Sequence, residues 1–196
     1  MTTTARRPTR VAKLPPRERI LDAAEELFQA EGIARVGVQA IAERARTTKM
    51  AIYRHFETKD ELVTEWLRIL AADYQAAFDR AEADHPGRPR EQILALARFI
   101  ADGLPEISYR GCPFINSLAE LPDREHPARQ VIERHKALQT DRLLGMCAAA
   151  GLPDPQQTTA EITFLLEGAQ VSHQNGSIGQ VGPRLLRMIE AILDRR

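Results

Sequence analysis

Apolar residues in this chain return every third or fourth position, segment after segment, and nowhere alternate convincingly at period two. That periodicity confines the fold class to all-α. The first stripe is Ile20, Leu21, Ala24, Leu27 and Phe28, and it stops at Gly32, a natural helix C-cap. A second, short segment over 38–45 turns Ile41 and Ala42 inward; a third over 48–55 buries Ile52, with Phe56 four positions on. Thr58 and Glu61 form a capping box that opens a long helix, with the stripe Leu62, Val63, Trp66, Leu67, Leu70, Tyr74 and Phe78. Beyond it the spacing predicts helices over about 90–103, 114–121, 125–150, 156–173 and 182–193, separated by HPGRPRE, Gly111–Cys112–Pro113 and Gly151–Leu152–Pro153. No internal repeat is present.

A length of 196 residues suits one large domain or a small one joined to a larger one. No apolar run approaches the ~18 residues of a membrane span, and the first residues lack the apolar core of a secretory signal. A cytoplasmic location is the expectation. Cys112 and Cys147 give neither a zinc spacing nor a disulfide framework, so no metal and no cofactor is expected. The neutral total hides an asymmetry: the first 55 residues hold eleven Lys/Arg against six Asp/Glu, and the remainder carries the opposite excess. A basic end of this kind is a hint of nucleic-acid binding.

Residues 1–16 read as a flexible basic arm bearing Arg6, Arg7, Arg10 and Lys13, suited to backbone or minor-groove contacts. Two short helices with a tight turn between them, supported by a preceding helix, form a helix-turn-helix unit over 17–64. Such a unit offers the N-terminal end of its second helix to the DNA major groove. With Ile52 and Phe56 held inward, Thr48, Lys49 and Ala51 fall on the free face. A hydroxyl, an ammonium and a methyl are suitable groups for base edges. Thr47 or Thr48 equally suits the N-cap. Tyr53, Arg54 and His55 come where the helix leaves the groove and suit phosphate oxygens, as does Lys59 beside the free N–H groups of the next helix. The small unit is marginal for a core of its own, so Trp66 and Leu67 are expected to complete it and the fourth helix to serve two units.

Residues 65–196 are expected to form a helical ligand-binding and dimerisation domain with a pocket between helices. Phe99, Phe114, Asn116, Leu118, Phe164 and His173 are the pocket candidates, each with a plain core reading beside it. The stripes Ile162, Leu165, Leu166, Ala169 and Leu185, Leu186, Ile189, Ile192, Leu193 suit either a twofold interface or the interior of one chain. Two other functions stand as alternatives: a cysteine-dependent enzyme or redox sensor using Cys112, as an enzyme with a distant histidine such as His126, and a helical adaptor that binds protein alone. No third orienting group supports catalysis, so no catalytic residue is assigned and an enzyme is not expected.

The segments RERILDAAEELFQAEG at 17–32, VQAIAERARTTKMAIYRHFETKDEL at 38–62, and Trp66 resemble the TetR (tetracycline repressor) family of bacterial transcription regulators. AIYRHFETKDEL carries the resemblance most strongly, and GCPFINSLAE at 111–120 looks like a segment of some ligand-binding domains in that family. The resemblance implies an all-helical homodimer on double-stranded, palindromic operator DNA, a repressor released by a small-molecule effector. It places the recognition helix at 48–55, with Thr48, Lys49 and Ala51 toward the DNA and Tyr53, His55 and Lys59 on phosphates. Three positions depart from the family pattern. Arg46 and Thr47 stand where a glycine and a small apolar residue are usual, and Met50 replaces a frequent glycine. An arginine forced into a left-handed turn at position 46 costs roughly 1–2 kcal/mol relative to glycine, and its guanidinium can regain binding energy on a phosphate.

Overall fold

The computed structural model describes residues 15–105 and 111–195; the basic arm expected at the N-terminus, with Arg6, Arg7, Arg10 and Lys13, lies outside them. Among the described residues every regular element is a helix. Helix α1 (Pro16–Glu31) begins with proline at its first position, where the missing N–H has no partner to lose. It ends at Gly32, whose N–H reaches the Phe28 carbonyl at a φ of 90°. Helices α2 (Val38–Arg44) and α3 (Lys49–Tyr53) follow, with Arg46 in the connecting turn at a φ of 51°, as the turn demands. The turn is tied by Thr47 N–H on the Ala42 carbonyl at 2.8 Å.

Helix α4 (Lys59–Asp84) has 26 residues and is about 39 Å long. Its N-terminus is closed as its sequence predicts: the Thr58 hydroxyl accepts from Glu61 N–H at 3.0 Å. The Glu61 carboxylate reaches back to Glu57 N–H at 2.6 Å, one residue before the cap. The body is completed by α5 (Pro89–Gly103), α6 (Pro113–Glu120), α7 (Pro127–Ala149), α8 (Pro155–Asn175) and α9 (Val181–Leu193). Proline stands at the first turn of α5 through α8, so chain direction is reset by residues that cannot extend a preceding helix.

Two apolar cores meet along α4. The first joins Ile20, Ala24, Phe28, Ile41, Ile52 and Phe56 to Leu62, Val63, Trp66 and Leu67, then continues into Cys112, Phe114, Ala128 and Ile132. The second holds Phe78, Ile93, Leu96, Leu143, Ile162, Leu185 and Ile189. Tyr74 packs against both. The helix-turn-helix core is therefore continuous with α6 and α7 as well as with the start of α4. Across α4 and α7, Arg142 pairs with Asp79 at 2.8 Å and Glu82 at 2.7 Å while its guanidinium lies 4.9 Å over the Phe78 ring.

The stripe on α8 and α9 that suited an interface is interior. Ile162, Ala169, Leu185, Ile189, Ile192 and Leu193 are buried within one chain, and Leu165, Leu166 and Leu186 pack against them. The apolar residues left outside are others: Phe164 is 72% exposed, and Val171, Ile178 and Met188 are exposed beside it in sequence or on the neighbouring helix. Helix α8 is apolar on more than one face, and only its neighbours decide which face is covered.

Candidate nucleic-acid interface and internal cavity

Helix α3 is one and a half turns long, and its two sides are chemically unlike. Ile52 and Phe56 are 1% and 2% exposed and seat the helix in the core it shares with α1, α2 and α4. Opposite them Thr48, Lys49, Met50, Tyr53, Arg54 and His55 stand in solvent, with Arg46 just before, while Thr47 and Ala51 are half-buried. Thr48 is the N-cap: its hydroxyl oxygen accepts from Ala51 N–H at 3.1 Å. A capping hydroxyl still has its own proton to donate, so this residue keeps a donor toward solvent. Met50 is 68% exposed and Tyr53 49%, so neither is the core residue its apolar body would allow.

The surface is braced from below. Arg17 Nη2 pairs with the Glu65 carboxylate at 2.5 Å and its guanidinium lies 5.3 Å over the Phe56 ring. Hydrogen bonding from Arg17, helped by Arg68, holds the Glu65 carboxyl below its usual range against the opposing effect of burial. Arg44 pairs with Glu26 and ties α2 to α1. Lys59 takes a different place from that of a free surface cation. Its Nζ donates to the Ile33 carbonyl at 2.5 Å, half-buried, and burial lowers its pKa.

An internal cavity of about 330 Å³ lies between α4, α5, α6, α7 and α8. Its wall is mainly apolar, with Tyr74, Phe78, Phe99, Leu118, Leu143 and Leu166 prominent. Polar groups enter it as well. Lys136 pairs with Glu167 at 2.8 Å. Gln170, 3% exposed, donates from Nε2 to the Leu166 carbonyl at 3.3 Å. Its Oε1 is buried without a partner among the described residues. The Tyr74 ring stands edge-on to Phe99, Phe114 and His135 at 5.4–5.6 Å, and burial, then the Cys112 sulfur, raises its phenol pKa. Behind it His135 stacks on Phe114 at 4.3 Å, and burial, with Lys136 nearby, pushes its pKa down to about 4. The imidazole is therefore neutral at pH 7.

Of the pocket candidates, Phe99 and Leu118 line this cavity. Asn116 lines a neighbouring one nearer α1, which Phe99 also borders. Phe114 is fully buried and supports the wall from behind. Phe164 and His173 line neither cavity and are exposed on α8. Tyr74, Lys136 and Gln170 are cavity residues that helical periodicity does not single out. Tyr74 reads as one more member of the α4 stripe, while Gln170 gave a usable signal, a lone amide within the apolar run of α8. Cys112 is buried in the cavity wall. His126 is engaged elsewhere, its Nδ1 accepting from Ala128 N–H at 3.1 Å and its Nε2 3.5 Å from Asp60. Among the described residues no group of three potential ligands could hold a metal ion, and no helix is long and apolar enough to cross a membrane.

A short helix pinned by two apolar side chains, turning hydroxyl, cationic and aromatic groups outward after a tight turn, is the arrangement of helix-turn-helix DNA-binding proteins. Here it is coupled through one long helix to a body with a cavity. The chain belongs to the TetR family and is a DNA-binding transcriptional regulator, not an enzyme. Residues 20–66 match the family described as bacterial regulatory proteins, tetR family. Over 91% of its length the chain resembles SCO4454, a TetR-family transcriptional regulator from Streptomyces coelicolor, with a TM-score of 0.84, 30% identity and 94% of that chain covered. The HTH-type transcriptional regulator TtgR of Pseudomonas putida is 31% identical over 131 residues, 62% of this chain and 61% of that protein. YjdC of Escherichia coli, another HTH-type transcriptional regulator, is 24% identical over 152 residues, 78% of this chain and 80% of that protein.

Proposed function

We propose that the protein binds a palindromic operator as a homodimer and represses transcription until a small molecule enters the cavity between α4 and α8. The observation that carries this reading is the division of α3, with Ile52 and Phe56 sealed inside and Thr48, Lys49, Tyr53, Arg54 and His55 free. In this reading residues 17–64 are the DNA-binding unit and 65–196 the ligand-binding and dimerisation unit. Thr48, Lys49 and Ala51 meet base edges. Arg46, Thr47, Tyr53, Arg54 and His55 meet the backbone. Lys59 contributes a cation near the rim rather than a direct grip, because its ammonium is already bonded to the Ile33 carbonyl.

The two recognition helices of a dimer must stand about 34–36 Å apart to enter successive major grooves. A ligand beside Tyr74 presses on α4, the element common to both cores, and so acts on that separation. Such a switch needs unequal ligand affinity for the two spacings. Phe164, Val171, Ile178 and Met188 supply an apolar face for the second copy, and Phe164 and Val171, seven apart, share one side of α8.

The test is binding to the promoter region of its own gene at several salt concentrations. The affinity is expected to fall steeply with salt, and Lys49→Ala with Tyr53→Ala to weaken it at least tenfold and flatten the slope of log K against log salt by about one, since only Lys49 of the pair is charged. An affinity indifferent to salt, or unchanged in the double variant, would overturn the assignment.

A further inference from the structure

A second cavity, of about 340 Å³, lies where the DNA-binding unit meets the body, and it is bordered by α1, α4, α5 and α6. It shares Tyr74, Phe99 and Ile100 with the first, so these side chains form a partition between the two. Its chemistry is different. Phe28 and Trp66, with ring centroids 5.2 Å apart, form one wall, and Tyr74 with Phe99 the other. The Trp66 indole N–H is buried and has no hydrogen-bond partner among the described residues. Glu25 stands at the α1 side, where Gln29 Nε2 donates to its Oε1 at 2.9 Å. No basic side chain of the described residues pairs with Glu25. Its neighbours are acids: burial first, then Asp73 from α4 and Asp22 from α1, raises its pKa.

Each of these features asks for the same kind of guest. A half-buried carboxylate facing two further acids attracts a cation and repels an anion. Aromatic faces add attraction for a cation beside them. The volume is at the small end for ligand sites and suits a molecule of one or two rings.

We propose that this junction cavity is a second ligand site, taking a monocationic arylalkylamine whose ammonium group pairs with Glu25 and whose ring lies between the Phe28–Trp66 and Tyr74–Phe99 walls. An occupant touches α1 and α6 at once and ties the DNA-binding unit to the body. The site is separate from the cavity assigned to the effector, and its existence does not depend on what the protein does on DNA.

Trp66 is the chain's single tryptophan, so its fluorescence reports this cavity directly. The full chain is titrated without DNA with 4-methoxyphenethylamine, with its neutral isostere 4-methoxyphenethyl alcohol and with the anion 4-methoxyphenylacetate. The amine is expected to change Trp66 emission saturably and to bind roughly tenfold or more tightly than the alcohol; the anion should not bind. Glu25→Gln, isosteric and half-exposed, should bring the amine down to the affinity of the alcohol, while Glu25→Asp, which keeps the charge, retains the preference. Absence of a saturable signal with the amine, equal affinity for amine and alcohol, or an amine affinity unchanged in Glu25→Gln would each overturn the proposal.

Discussion

Thr48 uses its oxygen to cap α3 and keeps its proton for an acceptor outside the protein. These two uses can be separated. Thr48→Ala is expected to lower stability by about 1 kcal/mol and to weaken operator binding, whereas Thr48→Ser restores the stability; urea unfolding and gel-shift titration read the two effects. The serine variant has no methyl, so any affinity it still lacks measures that group's contact with DNA. Arg46 occupies the left-handed turn at a φ of 51°, as the turn's length requires of whichever residue stands there. An exposed guanidinium at that corner is consistent with a backbone contact that offsets the strain. His135 has a sharper signature in pH. Its pKa is pushed down to about 4 in the fold, against about 6.5 in the unfolded chain. The unfolded state therefore binds the extra proton first, so the stability linked to the neutral imidazole is complete above about pH 6.5 and is lost as pH falls toward 4. His135→Phe should flatten the dependence of Tm on pH across that window, read by thermal unfolding. An undiminished slope would mean that other groups produce it.

At the scale of elements, start and stop signals were reliable because they act within four residues. Gly32 and Thr58 with Glu61 set boundaries that hold in the structure, whereas the helix expected from about 125 opens at Pro127. Helix α4 depends most on such a signal, since its first turn joins the DNA-binding unit to the long lever behind it. Thr58→Ala should cost about 1 kcal/mol, and hydrogen exchange should quicken first at Asp60 to Leu62, while amides near Tyr74 stay protected by the two cores around them. Helix α8 shows the limit of reading one element by itself. Ile162, Leu165, Leu166 and Ala169 form a convincing stripe, but Phe164 and Val171 make a second apolar side. The sequence leaves open which side meets α9 and which meets solvent.

The whole molecule is organised around α4, which takes part in both cores and borders both cavities. Pressure at Tyr74 acts on the same rigid element that carries Trp66 and, at its start, supports α3. On the proposed dimer, the second copy covers the outer side of α8. Phe164→Asp should then shift the sedimenting species from dimer to monomer at micromolar concentration and abolish cooperative operator binding, with little change in the melting of the single chain, because the side chain is 72% exposed within it. A variant that stays dimeric would place the twofold contact elsewhere. By itself the sequence determined the helices, the caps at Gly32 and Thr58, the tight turn at Arg46 and the inward and outward sides of α3, because each is settled by neighbours within a few positions along the chain. The tertiary structure alone decided the rest: that Gln170 and Lys136 enter one cavity, that Glu25 and Trp66 border another, that Lys59 is held by Ile33, and that Phe164 lies outside. These are meetings of residues tens of positions apart, fixed by how whole helices cross, and no local periodicity encodes a crossing.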